Sequence, residues 1–233
     1  MIELFPEGFE EVEDAEDVQL VAYTDASGEE RLWSAFGGVR GSDVDAGWED
    51  GWRRFHRPVT IGPLWIGPPW EDPPAGPIAV VIDPGRAFGT GGHATTRLCL
   101  ELLTCLSPSS LLDVGCGSGV LASAAAKLGF APVTAVDNDP LAVEATRENA
   151  AANGATLDVR LADAVGEPLP AAETAVANIT LEGAAEVAGR LECKRLVTSG
   201  YLVSNRLVLP RFTAVRRVEA EGWAADLWES ARE

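Results

Sequence analysis

The sequence predicts an α/β fold: a mostly parallel sheet covered by helices on both faces, closed by a C-terminal antiparallel hairpin and preceded by a small β-rich module. Three observations carry this. From Ile78 onward short apolar runs alternate with stretches of helical periodicity, and such strand–helix repeats lay successive strands parallel under helices on both faces. Within that rhythm, Leu111-Leu112-Asp113-Val114-Gly115-Cys116-Gly117-Ser118-Gly119 is an apolar run that stops at a carboxylate and opens into three alternating glycines. The alanine-rich stretch Val120 to Leu128 follows and ends at Gly129, so a buried strand passes through a glycine loop into a helix. At the chain end, Phe212 to Glu219 and Trp223 to Glu229 flank Glu221-Gly222 in the pattern of a hairpin.

In chain order, residues 1–40 read as short extended pieces, Val18 to Tyr23 and Arg31 to Phe36, joined across the turn Asp25-Ala26-Ser27-Gly28. This is too little chain for a core of its own, so it should pack as a small sheet. The acidic run Glu10 to Asp17 reads as wet surface. Residues 48–77 hold four of the seven tryptophans and seven of the fifteen prolines. Trp48 and Trp52 share a helical face there, followed by Arg53, Arg54, His56 and Arg57, and the stretch reads as a packing wedge joining two modules. The expected organisation is a small acidic module over 1–45, a Trp/Pro-rich linker over 46–77 and a main domain over 78–233.

In that domain Ile78 to Ile82 is extended, Asp83 to Gly92 is a loop, and His93 to Leu106 is a helix with Leu98, Leu102 and Leu106 in one row. Val133 to Val136 is the strand ending at Asp137. Asp139 caps the next helix, with Pro140 in its first position and Gly154 at its end. Strands follow at Leu157 to Leu161, Thr174 to Ile179 and Arg195 to Gly200, with a helix from Leu181 to Leu191.

At 233 residues and 46% hydrophobic content, the chain can bury one sizeable core and carry one small appendage. No apolar run approaches the roughly 20 residues a membrane helix needs, and the N-terminus is acidic rather than a basic leader. Cys99, Cys105, Cys116 and Cys193 lack paired metal spacing; no metal site is expected, and reduced structural thiols in a cytoplasm are. The net charge of −18 is unevenly placed, because residues 1–50 hold 15 acids against two arginines. That front repels phosphate backbones, which argues against direct nucleic-acid binding. It either attracts a basic protein or serves only as a solvated surface. Self-association is not legible, and a monomer is the default.

Four strand ends bear polar groups: Asp113 with its glycines, Asp137, Asp163 and Asn178. In an open α/β sheet such ends converge on one crevice. Gly115, Gly117 and Gly119 leave bare backbone near a positive helix end, and Asp137, 22 residues after Gly115, can accept both hydroxyls of a ribose. The loop has one residue between its second and third glycine where the dinucleotide fingerprint has two, and Asp113 suits a cationic ligand better than a pyrophosphate. Together these point to S-adenosylmethionine, leaving S-adenosylhomocysteine as product. Asp113, Asp137 and Asp163 would hold the adenosine end and Asn178 would face the reacting end. Capping the helix that follows explains Asn178 equally well.

The run Asp83-Pro84-Gly85-Arg86-Ala87-Phe88-Gly89-Thr90-Gly91-Gly92-His93-Ala94-Thr95-Thr96 is more specific. With Trp48 and Trp52, the glycine loop, Val176-Ala177-Asn178-Ile179 and Ser199-Gly200, it resembles the bacterial ribosomal protein L11 methyltransferase (PrmA-type) family over residues 45–233. The resemblance implies a class I S-adenosylmethionine-dependent methyltransferase domain with a seven-stranded, Rossmann-like sheet. It also implies methylation of lysine and N-terminal amines on a large-subunit ribosomal protein. Matched residue by residue, it places cofactor contacts on Thr96, Gly115, Asp137 and Asn178, with Phe88 and Gly89 helping to close the pocket. The family begins with a two-layer α/β substrate-recognition domain, and Glu3 to Glu13 resembles the middle of it, which implies a shortened form.

Methyl transfer to nitrogen requires in-line geometry and a free lone pair. Only about one lysine in two thousand is neutral at pH 7, so the site must favour proton loss, and an apolar mouth does so by desolvation. Asn178 is the expected catalytic residue, its side-chain oxygen accepting an amine hydrogen and aiming the lone pair. His93, beside glycines and a helix start, is expected to order the loop rather than to act as base. Other readings stay open: a related methyltransferase acting on another protein or a small amine, and a non-catalytic S-adenosylmethionine- or dinucleotide-binding protein.

Overall fold

The computed structural model describes residues 10–13, 18–21, 32–37, 56–84 and 91–231. The chain forms two compact units, Met1–Trp52 and Arg53–Glu233. In the first, β1 (Glu10–Glu13) pairs antiparallel with β2 (Val18–Val21), Glu10 opposite Val21 and Glu13 opposite Val18. The partner of Val18–Val21 is thus the acidic segment before it and not residues 31–36. Residues 32–36 form a helical turn instead, with Trp33 and Phe36 exposed. Five residues mixing Leu and Ala with aromatics fit either period, and nothing in so short a run decides between them. Asp25 to Gly28, Trp48, Trp52, Arg53 and Arg54 lie outside the described residues.

In the second unit, β3 (Val59–Ile61) and β4 (Leu64–Gly67) form a two-residue hairpin across Gly62-Pro63. Strand β5 (Ile78–Val81) adds parallel to β4, making a three-stranded sheet. Ile78–Val81 therefore belongs to this small sheet and not to the main one. Strand β4 lies within the segment read as a linker, yet Leu64, Trp65 and Ile66 are buried. Its apolar side chains pack with those of the main domain rather than with a core of their own.

The main sheet has seven strands: β6 (Leu111–Val114), β7 (Val133–Asp137), β8 (Asp158–Leu161), β9 (Thr174–Asn178), β10 (Arg195–Leu202), β11 (Phe212–Ala220) and β12 (Trp223–Ser230). Their order is β11-β12-β10-β9-β6-β7-β8. The pairs from β10 through β8 are parallel, and β12 runs antiparallel between β10 and β11. The chain moves outward from β6 through β7 to β8, then returns to lay β9 on the other side of β6. Between β6 and β9 lies the topological switch point, the crevice where open sheets bind ligands.

Four helices follow the expected pattern closely: α1 (Ala94–Thr104), α2 (Val120–Lys127), α3 (Pro140–Ala152) and α4 (Leu181–Ala188). Asp139 caps α3 by accepting from the Leu141 N–H at 2.9 Å, with Pro140 in the first turn. Strand alternation sorts the core in two. Leu111, Ala135, Val176 and Val197 pack with α1 and α2, whereas Leu112, Val114, Val136, Ala177 and Leu196 pack with Val187 and Ala188 of α4. Both faces are thus covered, as a parallel sheet requires.

The C-terminal hairpin turns through Glu221 and Gly222, whose φ values of 52° and 81° match the two-residue turns that follow strand twist. A buried polar chain ties it to β10. Trp228 Nε1 donates to Thr198 Oγ1 at 2.8 Å, Thr198 and Tyr201 hydroxyls meet at 2.7 Å, and Tyr201 donates to Asp226 at 2.8 Å. Arg217 completes it on Asp226 at 3.0 Å. Burial pushes the Tyr201 hydroxyl well above its usual range, so it acts here as a donor.

Candidate functional site

The carboxyl ends of β6 and β7 converge through main-chain contacts. The Gly115 and Cys116 N–H groups donate to the Val136 carbonyl at 2.9 and 3.1 Å, and the Gly117 N–H donates to Asp137 Oδ2 at 2.9 Å. The second Asp137 oxygen accepts the Asp139 N–H at 3.0 Å. Each carboxylate oxygen thus spends one lone pair on backbone and keeps another, and the residue is only half-buried. An acceptor pair fixed in this way, with spare capacity at the crevice, suits two vicinal hydroxyls. The glycine loop and the Asp137 carboxylate therefore meet at the carboxyl ends of β6 and β7.

The three loop glycines have left-handed φ values of 72° at Gly115, 54° at Gly117 and 76° at Gly119. Two of them also answer to neighbours within the protein. A Cβ on Gly119, at the start of α2, would stand 2.7 Å from Thr146 Cγ2 and 2.9 Å from its Oγ1. A Cβ on Gly115 would stand 2.4 Å from Ile179 Cγ2. The alternating glycines therefore serve close packing as much as ligand approach.

Asp113 is fully buried beneath the loop. Its Oδ2 accepts the Ala122 N–H in the first turn of α2 at 3.1 Å, and its Oδ1 has no hydrogen-bond partner among the described residues. Burial pushes the carboxyl up to about 7; the Ala122 bond opposes this, and the charge of Asp137 adds to it. Asp163 stands at the end of β8 beside Asp137, since the Ala162 N–H donates to the Asp137 carbonyl at 2.9 Å. It is exposed, with Oδ1 accepting the Val165 N–H at 2.9 Å.

Asn178 ends β9, and its Nδ2 points to Oγ1 of Thr96 on α1 at 3.4 Å. That is longer than the ordinary range of about 2.7–3.2 Å, so the amide is loosely held. The helix after β9 is capped by Thr180, which accepts the Gly183 N–H at 3.2 Å. Asn178 is thus not used as a cap. His93 caps α1: its Nδ1 lies 2.8 Å from Thr95 Oγ1 and 3.4 Å from the Thr95 nitrogen, and its ring meets Trp223 edge-on at 4.9 Å. Phe88 and Gly89 lie outside the described residues.

Three residues that sequence reasoning missed line one side of α3. Thr146 Oγ1 donates to the Gly117 carbonyl at 3.0 Å, and Asn149 Nδ2 donates to the Ser118 carbonyl at 2.9 Å. Asn149 Oδ1 accepts the Asp83 N–H at 2.9 Å, and Asn153 accepts the Val81 N–H at 2.8 Å. The available signal was their spacing of three and four residues, a polar row along a face that also holds Ala142, Val143 and Ala150. Among the described residues no group of three or more metal-ligating side chains occurs.

Strand order, the glycine loop joined to Asp137, and Asn178 beside Thr96 at the switch point define a class I methyltransferase domain. A sequence profile of the ribosomal protein L11 methyltransferase (PrmA) family matches residues 9–233. The chain belongs to that family. It is 40% identical over 188 residues to the ribosomal protein L11 methyltransferase of Symbiobacterium thermophilum, an alignment covering 76% of this chain and 59% of that protein. To the same-named protein of Caldanaerobacter subterraneus subsp. tengcongensis it is 33% identical over 232 residues, covering 88% and 74%. It resembles the crystal structure of ribosomal protein L11 methylase from Lactobacillus delbrueckii subsp. bulgaricus with a TM-score of 0.63 at 29% identity, over 75% of this chain and 99% of that one. The chain spans less than two thirds of the length of the Symbiobacterium relative.

Proposed function

We propose that this chain transfers methyl groups from S-adenosylmethionine to lysine or N-terminal amines of a large-subunit ribosomal protein. One observation carries the cofactor assignment: the Gly117 N–H on Asp137 Oδ2, which holds the glycine loop against a carboxylate with lone pairs to spare. Family membership supports the protein substrate. When bound, S-adenosylmethionine would supply an electrophilic methyl group on a sulfonium.

Asp137 would accept the ribose hydroxyls, with Gly115, Gly117 and Gly119 presenting backbone and Asp163 flanking the adenosine. Thr96 and Asn178 would line the reacting end, with Phe88 and Gly89 closing over it. Asp113, buried beneath the loop with its Oδ1 unpartnered among the described residues, would be drawn toward its charged form by a cationic ligand above it. With its Nδ2 directed to Thr96, Asn178 has its Oδ1 available to accept an amine hydrogen and orient the lone pair. Residues 1–45 would serve as a recognition module whose acids attract a basic protein, and 78–233 as the catalytic domain. That substrate would place the enzyme in the cytoplasm, and the acidic front argues against direct nucleic-acid contact; a monomer is the default.

Incubation with labelled S-adenosylmethionine and host ribosomal proteins tests this. Label should enter one large-subunit protein, and Asn178→Ala should lose turnover with its fold intact. Label in a small amine or an unrelated protein would overturn the substrate, and full activity in Asn178→Ala would remove that residue from the mechanism.

A further inference from the structure

Strand β5 leads directly into Asp83. The segment following β6 is the glycine loop. One side chain bonds both. Asn149, buried on α3, accepts the Asp83 N–H on its Oδ1 at 2.9 Å and donates from Nδ2 to the Ser118 carbonyl at 2.9 Å. The two ends of a planar amide are fixed relative to one another, so a shift of either segment is felt by the other.

Asn153, one turn later, provides an internal contrast. It accepts the Val81 N–H at 2.8 Å, and its Nδ2 donates to the Val81 carbonyl at 2.6 Å and the Asn149 carbonyl at 2.8 Å. It therefore anchors β5 to α3 without touching the glycine loop. Loss of either side chain strands buried backbone groups and lowers stability, but of the two it is Asn149 that bonds the glycine loop.

We propose that Asn149 is a positioning residue that couples the glycine loop to Asp83 just past the end of β5, so that nucleoside binding at the glycine loop is transmitted to Asp83. The inference rests on the reading that S-adenosylmethionine occupies this crevice. Calorimetry with S-adenosylhomocysteine and thermal melting, applied to wild type, Asn149→Ala, Asn149→Asp and Asn153→Ala, test it. Both alanine variants should melt earlier. Asn149→Ala should weaken binding roughly tenfold, the scale of one lost buried hydrogen bond, and Asn153→Ala by less than about threefold. Asn149→Asp keeps the acceptor for Asp83 but cannot donate to Ser118, and should weaken binding as the alanine variant does.

A readout on the wild type alone covers the case in which a variant fails to fold. S-adenosylhomocysteine should slow hydrogen exchange at the Asp83 amide as well as in the glycine loop. If Asn149→Ala and Asn153→Ala bind equally well, or Asp83 exchange is unchanged while the loop is protected, the coupling is wrong. If wild type does not bind S-adenosylhomocysteine, the reading of the crevice fails, and the coupling with it.

Discussion

Asp113 sits within the sheet, fully buried, with one hydrogen bond from the Ala122 N–H among the described residues. Desolvation outweighs that bond, and the carboxyl is pushed up to about 7. In the unfolded chain an aspartate titrates near 3.9. Because the folded value is the higher one, the stability this group contributes is fully present below about pH 4 and is lost as pH rises to about 7. Asp113→Asn should remove that slope. Denaturant titrations from pH 4 to 8 should show wild type losing on the order of 2–4 kcal/mol relative to the variant and levelling off above about 7. Parallel profiles would mean that Asp113 is already ionised in the folded protein. The sequence marked Asp113 as a site residue because it stands before the glycines. That it also bonds the first turn of α2 depends on side-chain direction, which spacing does not encode.

At the scale of elements, helix α2 crosses α3 at Gly119 and Thr146. Gly119→Ala combines a left-handed φ of 76° with a Cβ 3.0 Å from the Thr146 Cα, which is main chain and cannot step aside. It should cost about 2–4 kcal/mol in a melting or denaturant experiment. Gly154→Ala shares a positive φ of 61° but meets nothing within 4 Å, so about 1 kcal/mol is expected there. Equal costs at the two sites would show that backbone conformation, not helix packing, sets the glycine requirement. The elements legible in the sequence are those with local signals: Asp139-Pro140 opening α3, Glu221-Gly222 turning the hairpin, and the alternating strands from Leu111 on. Strands β3 and β4 were not, because three or four residues between prolines carry no period, and their burial comes from distant partners. Residues 32–36 failed for the same reason of length.

At the scale of the whole molecule, the candidate crevice draws on four separate elements: β6 and β9 at the switch point, β7 beside β6, and α1, whose Thr96 meets Asn178 of β9. The sequence grouped Asp137, Gly117 and Asn178 because each lies at a strand end of an open α/β sheet, and the Gly117 N–H on Asp137 Oδ2 joins two of them. The supports behind it, Thr146, Asn149 and Asn153, were not legible, because their partners are backbone groups between 29 and 72 residues away. The charge asymmetry belongs to this scale too, since 15 of the 36 acids fall in residues 1–50. The central claim is that a sulfonium nucleoside fills the crevice between the glycine loop and Asp137, and isothermal calorimetry on the intact chain tests it most directly. S-adenosylmethionine and S-adenosylhomocysteine should bind at one site per chain and compete with each other, while NAD gives no heat. Saturable binding of NAD, or silence with both nucleosides, would contradict the account.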